Sequence, residues 1–431
     1  MDKKINVVTL GCSKNTVDSE VLMAQLHKNG WQVLSNSEST EAKVVIINTC
    51  GFIGDAKEES INTILSFVAA KQQGSIRRIY AIGCLAHRYR DELRAEIPEL
   101  DGVFRLSELP QLMGELRATY HPDCATERLL TTPKHYAYLK ISEGCSWRCA
   151  YCAIPLIRGN HVSRSIESLV EETQMLVAQG VREIIVIAQD STYYGIDLYG
   201  ERRLSELLQR IADVDGVRWV RLHYAHPAHF PAEVLDLMAT NSKICPYIDI
   251  PLQHVTTPML TAMRRHHTGP EVDALIGYMR ERVPNLAIRT TFLVGFPGET
   301  AADFEAMLQF VRKHKLDRVG VFAYSEEEGT AAAEMADNVP AEVKQQRVDA
   351  LMELQREISL ENNQRLVGQR CTVIVDSVEP DMLLARTMHD SPEVDQEVQV
   401  LLSESATVRP GDFIEVEIVE AMDYDLVARL V

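Results

Sequence analysis

Ile141-Ser-Glu-Gly-Cys145-Ser-Trp-Arg-Cys149-Ala-Tyr-Cys152 is the stretch on which the reading of this chain turns. Its cysteines stand in a Cys-x3-Cys-x2-Cys spacing, directly after an apolar run at 136–141 that reads as a strand. A four-iron cluster takes four ligands, usually thiolates. One short loop with three cysteines can wrap the cube and leaves one iron open to an outside ligand. Zinc sites favour paired Cys-x-x-Cys units with a fourth Cys or His. Beyond the loop, strand patterns recur at 182–187, 217–223, 247–250, 287–294 and 318–322. Amphipathic segments of helical length, such as 166–179 and 204–214, separate them. Six strand–helix units predict a partial, TIM-like (β/α)6 barrel, with functional residues at the C-terminal ends of the strands.

Upstream, residues 1–120 also alternate strand and helix: strands at 5–10, 43–48 and 77–82, and helices at 16–28, 55–71 and from about His87. That alternation predicts an α/β domain with a parallel sheet. Cys12, Cys50 and Cys84 each follow one of its strands by one or two residues, beside Gly11, Gly51 and Gly83. All three are expected on the C-terminal edge of the sheet, where open α/β sheets place ligands. Glycine there suits tight turns and close backbone approach. Three thiolates without an evident fourth ligand suit an iron–sulfur cluster with an open iron, or a zinc site with an open position.

Residues 121–135 read as a linker, in which Cys124 receives no role. The barrel domain is expected over 136–365, closing with a long helix at 341–366. Residues 366–431 pattern as short strands at 371–377, 382–386, 397–402, 412–419 and 426–431, a small all-β, OB-like barrel. The chain has 62 Asp and Glu against 44 Lys and Arg, a net charge of −18. From 366 onward there are 14 acidic residues and 4 basic ones, an ill-suited surface for gripping a phosphate backbone. No apolar run reaches the roughly 18 residues of a membrane span. The N-terminus lacks a signal-peptide pattern. A cytoplasmic protein without disulfides is expected, its nine cysteines pointing to metal or catalytic use.

The three-cysteine loop is the pattern of radical S-adenosylmethionine (SAM) chemistry. There the open iron binds the amino and carboxylate groups of SAM, and an electron passed into the sulfonium yields a 5′-deoxyadenosyl radical. Over its whole length the chain resembles the methylthiotransferase family of radical SAM enzymes, and most closely its RimO branch, the ribosomal protein S-twelve methylthiotransferases. The segments that carry the resemblance are Leu10-Gly-Cys12-Ser-Lys-Asn15 with Val17-Asp18-Ser-Glu20, Asn48-Thr-Cys50-Gly-Phe-Ile53 and Gly83-Cys84-Leu85. They continue with Glu96-Ile-Pro-Glu99, Ile141–Cys145, Ile154-Pro155, Arg158-Gly159, Ser163-Arg164, Ile187-Ala-Gln189-Asp190-Ser-Thr192, Pro251-Leu-Gln-His254 and Gly295-Phe-Pro-Gly-Glu299-Thr300.

The resemblance implies an N-terminal cluster domain, a radical SAM barrel and a C-terminal TRAM barrel. It implies two [4Fe–4S] clusters, one on Cys145, Cys149 and Cys152 and one on Cys12, Cys50 and Cys84. The second would carry the sulfur that one SAM methylates, while another SAM supplies the radical. Tyr151 would pack against the adenine edge of SAM. Gln189, Asp190 and the Gly295–Glu299 loop would line the SAM and substrate pocket, and Arg158 and Arg164 would meet the SAM carboxylate or the substrate. Of the histidines, His254 is placed to face the pocket, and none is expected to bind metal. Cys245 and Cys371 read as structural.

The implied substrate is an aspartate of ribosomal protein S-twelve, free or in the small subunit, modified at its β-carbon. An electron donor such as flavodoxin and a sulfur source are implied partners. The MiaB branch, which modifies tRNA adenosine, has Gly-Cys-Gln-Met-Asn where this chain has Gly11-Cys-Ser-Lys-Asn15, and lacks Cys50-Gly-Phe-Ile53. The acidic C-terminal barrel also favours a basic protein over RNA. A non-catalytic iron–sulfur protein that binds the ribosome would need neither the open-site spacing nor Tyr151.

Overall fold

A computed structural model describes residues 3–37, 41–122, 126–401 and 408–431. Cys124 and Leu402 lie outside the described residues. The chain forms two compact units. The first comprises Met1–Thr132, Glu143–Ser146 and Ala153–Asn160, and the second Pro133–Ser142, Trp147–Cys152 and His161–Val431.

The first unit is built on a parallel sheet in the order Gln32–Ser35, Lys4–Thr9, Val44–Thr49, Arg78–Ile82, Gly102–Val103. Successive side chains of a strand point to opposite faces. Val45, Ile47, Ile79 and Ala81 therefore pack on one side, with Ile64 and Val68 of the helix Gly54–Gln72. Ile5, Val7, Ile46, Tyr80 and Ile82 pack on the other, with Leu22, Met23 and Leu26 of the helix Ser13–Lys28. Burial on both faces is why the inner strands read as continuous apolar runs. The edge strands escaped the sequence reading because Gln32–Ser35 is half exposed and Gly102–Val103 has only two residues. The third helix begins at Gly83, not near His87, so Cys84 lies in its first turn. The linker is not loose throughout. Arg128 and Glu20 form a fully buried ion pair, and both the backbone N–H and the hydroxyl of Thr131 donate to the same carboxylate.

The second unit contains six parallel strands in the order Arg318–Ala323, Ala287–Val294, Ile244–Asp249, Trp219–Leu222, Glu183–Ile187, Tyr136–Lys140. This is the expected open, six-stranded barrel sheet. The helix Ala341–Gln364 leads to a closed five-stranded barrel in the order Arg370–Val378, Met382–Arg386, Val398–Leu401, Leu426–Leu430, Phe413–Ala421. Its core is Val373, Val375, Leu383, Val398, Val400, Val416 and Ile418.

Polar side chains from all six central strands meet the small barrel and its segment 387–396. Tyr136 donates to Glu393 at 3.0 Å and Glu183 accepts from Arg386 at 2.9 Å. Arg221 reaches the Met388 carbonyl at 2.7 Å, and Tyr247 donates to Asp395 at 2.7 Å. Arg289 pairs with Asp395 at 3.2 Å, and Arg318 with Asp390 at 2.5 Å. Acidity read from the sequence as surface charge is thus partly spent inside the unit. Among the described residues, no helix is long and apolar enough to cross a membrane.

Candidate functional site

In the first unit the three thiols end neighbouring parallel strands. Cys12 follows Lys4–Thr9, Cys50 follows Val44–Thr49, and Cys84 follows Arg78–Ile82. Glycines set how closely the strand ends approach. Gly11 takes φ +88°, and a Cβ there would lie 2.7 Å from Cys50 Cβ and 2.8 Å from its sulfur. Gly83 takes φ +92°, and its Cβ would lie 2.5 Å from the Thr49 carbonyl oxygen. The left-handed conformation and the missing side chain are both required. Asn15 braces the edge by donating to the carbonyls of Leu10 at 2.8 Å and Thr49 at 3.2 Å.

Cys12 is exposed, Cys50 and Cys84 are buried, and all are free thiols. Burial pushes the Cys50 thiol up, and pushes that of Cys84 up to about 11 against the pull of Arg158. Arg158, which the resemblance assigns to the SAM carboxylate or the substrate, stands at this edge. Its guanidinium lies 3.4 and 3.3 Å from the Cys84 sulfur. It also bonds Asp18 at 2.8 Å, Glu143 at 3.1 Å and Asn15 at 2.6 Å. Cys145 belongs to this unit as well, and its N–H donates to the Gly159 carbonyl at 3.0 Å.

Among the described residues, no three His, Cys, Asp or Glu side chains close round a single metal ion. The fit of Cys12, Cys50 and Cys84 to an iron–sulfur cluster rests on the donor set: three free thiols at neighbouring strand ends, two of them sheltered, with the Arg158 guanidinium beside Cys84.

In the second unit, Cys149 and Cys152 flank Ala150, whose backbone is held from two directions. Its N–H donates to Met263 at 2.9 Å, and its carbonyl accepts from Ala332 at 2.8 Å. Tyr151 packs toward Met259, Met263 and Phe296. Burial raises its hydroxyl well above the usual range, which keeps it neutral. Arg265 is buried against this loop, 3.5 Å from the Cys149 sulfur, 3.4 Å from the Tyr151 hydroxyl and 2.5 Å from the Pro251 carbonyl.

Asp190 is buried just past the strand Glu183–Ile187. It accepts from the Trp147 indole N–H and from the backbone and hydroxyl of Thr192. Gln189 precedes it and is half-buried. The Trp147 ring stacks on His226 at 4.1 Å and 9°, and His267 meets His226 edge-on at 5.9 Å. Burial holds both imidazoles below their ordinary range, His267 at about 4.

Other expected residues are engaged locally. Arg164 pairs with Glu172 at 2.6 Å and bonds the Lys140 carbonyl. Glu299 is buried, accepts from the N–H groups of Gly295 and Phe296, and pairs with Arg347 at 2.8 Å, so its carboxylate shapes the Gly295 turn. His254 is fully buried, and its Nδ1 accepts from the N–H groups of Val255 and Thr256. Cys245 is buried beside Trp219 and Tyr247, and Cys371 packs against the small barrel's core. Trp147, Arg265 and His226 went unassigned in the sequence reading. The available signal was an aromatic inside the cysteine loop and an arginine set among histidines at 264–267.

Comparison with known proteins matches three family models: the uncharacterized protein family UPF0004 over residues 4–105, the radical SAM superfamily over 139–311, and the TRAM domain over 367–431. A ribosomal protein uS12 methylthiotransferase RimO of Bacteroides thetaiotaomicron is 50% identical over 429 residues, 99% of this chain and 98% of its own. That of Flavobacterium johnsoniae is 51% identical over 424 residues, 98% and 97% of the two chains. Among solved structures, the radical SAM methyltransferase TsrM of Kitasatospora setae superposes with a TM-score of 0.55 at 15% identity, covering 89% of this chain and 81% of its own. The cobalamin-dependent radical SAM enzyme OxsB gives 0.53 at 12% identity, covering 82% and 56%. At such identities the two structures speak for the fold. Half of all positions shared with full-length relatives, over three domains in the same order, settle the family: the chain belongs to the ribosomal protein uS12 methylthiotransferases of the radical SAM superfamily.

Proposed function

We propose that this chain places a methylthio group on the β-carbon of an aspartate side chain in ribosomal protein S-twelve. The observation that carries the reading is the set of free thiols Cys12, Cys50 and Cys84 at one sheet edge, in a chain that also has the Cys145-x3-Cys149-x2-Cys152 loop. A radical SAM enzyme that only made radicals would need the loop alone. In this reading Cys145, Cys149 and Cys152 hold the SAM-cleaving [4Fe–4S] cluster, and Cys12, Cys50 and Cys84 hold the second.

When bound, the clusters and SAM supply the hard chemistry: hydrogen removal from the substrate carbon, and the sulfur and methyl joined there. The protein supplies orientation. The neutral Tyr151 and the clamped Ala150 fix the loop, and Asp190 and Gln189 stand at the strand end where SAM and substrate are held. Glu299 keeps the Gly295 turn in shape through its backbone hydrogen bonds. A one-electron donor such as flavodoxin and a sulfur source complete the reaction, and a ribosomal substrate places the protein in the cytoplasm.

The test is anaerobic reconstitution with iron and sulfide, followed by SAM, reductant and an S-twelve peptide carrying its loop aspartate. Mass spectrometry should detect one added methylthio group on the peptide and none on tRNA. Replacing Cys145, Cys149 and Cys152 by Ala should abolish deoxyadenosine release. Replacing Cys12, Cys50 and Cys84 by Ala should spare that release and stop methylthio product. Product from the second variant would refute the role of these thiols.

A further inference from the structure

We propose that Arg158 is a positioning residue for the N-terminal thiol site: its guanidinium donates to the sulfur of Cys84 and raises the reduction potential of the cluster bound there. The inference rests on the assignment of that cluster to Cys12, Cys50 and Cys84. Arg158 comes from the short helix Ile154–Arg158, and Ala153 and Ile157 on the same segment pack against Cys84. Its side chain is 4% exposed. A guanidinium is a planar fork of five N–H donors. Nη1 serves Asp18 and Glu143, Nη2 serves Asn15, and Nε and Nη2 both face the Cys84 sulfur at 3.4 and 3.3 Å.

Asn15 is itself held by Leu10 and Thr49, so the fork is fixed relative to the strand ends that carry the thiols. Hydrogen bonds to cluster sulfurs, net charge and solvent exposure set iron–sulfur potentials. A buried cation beside the sulfur favours the reduced, more negative state. A neutral side chain in its place would remove both that charge and the two donors that face the sulfur. A lysine keeps the charge but lacks the fork that reaches all four partners.

The experiment uses the full chain with Cys145, Cys149 and Cys152 replaced by Ala, reconstituted with iron and sulfide and redox-titrated by electron paramagnetic resonance of the remaining cluster. Arg158→Gln should lower the midpoint by at least about 59 mV, a tenfold change in a one-electron equilibrium. Arg158→Lys should lower it less. An unchanged midpoint in either variant that assembles a cluster overturns the proposal, because a merely structural arginine would not set the potential. Independently of any Arg158 variant, labelling arginine with the heavy nitrogen isotope should give a spin-echo modulation on the reduced cluster, and its absence would also overturn the proposal. Failure of the parent to assemble a cluster would instead count against the thiol assignment.

Discussion

His254 illustrates how burial changes a residue's meaning. From the sequence it stood near the pocket. The structure buries it fully, and its Nδ1 accepts two backbone N–H groups, so it caps the turn at Val255–Thr256. Burial lowers its pKa to about 4. An unfolded histidine takes up a proton near pH 6.5, whereas this one holds off to about 4. The stabilising contribution is therefore complete above about pH 6.5 and is lost as pH falls toward 4, up to about 3 kcal/mol. In the iron-free protein, urea midpoints should fall between pH 7 and 5, and His254→Gln should flatten part of that slope. An identical slope in the variant would argue that His254 does not titrate as described.

At the scale of elements, the first domain is a sheet whose turns place its thiols. Gly83 lets the helix Gly83–Arg88 start directly on the strand end and sets Cys84 in its first turn. Gly83→Ala should destabilise the iron-free protein by more than about 1 kcal/mol, since alanine disfavours this φ and its Cβ would strike the Thr49 backbone. It should also reduce the iron bound by a chain lacking Cys145, Cys149 and Cys152, measured per mole of folded protein. Full iron loading would mean that the spacing of the strand ends tolerates a side chain.

Across the whole molecule, buried charges as well as apolar contacts join the two barrels of the second unit. Arg386, 2% exposed, pairs with Glu183 of the central sheet and with Asp376, which also meets His135. Glu183 holds Arg221 as well. Burial works against each charge. Their mutual pairing outweighs it, holding both carboxylates below and both guanidinium groups above their ordinary ranges. Removing one member strands another in a dry site. Arg386→Met should therefore cost about 3 kcal/mol or more in urea unfolding. A cost under about 1 kcal/mol would mean that water reaches the junction.

The sequence by itself determined the fold classes and the family, and it singled out the two cysteine sets as candidates. Those signals are local: spacing within one loop, glycine beside cysteine, and apolar runs where both faces of a strand are buried. Helix starts and edge strands were less legible, because Gly83 reads as a turn until the helix forms and Gln32–Ser35 has no buried face to pattern it. Only the tertiary structure decided the partners of charged residues. Arg158 meets Cys84, Glu299 meets its own loop, and Asp390 and Asp395 turn inward from a surface that the charge count treated as exposed. An arginine or carboxylate on a flexible loop reads alike whether solvated or buried. Which opposite charge it meets depends on residues distant in sequence, and folding alone brings those together.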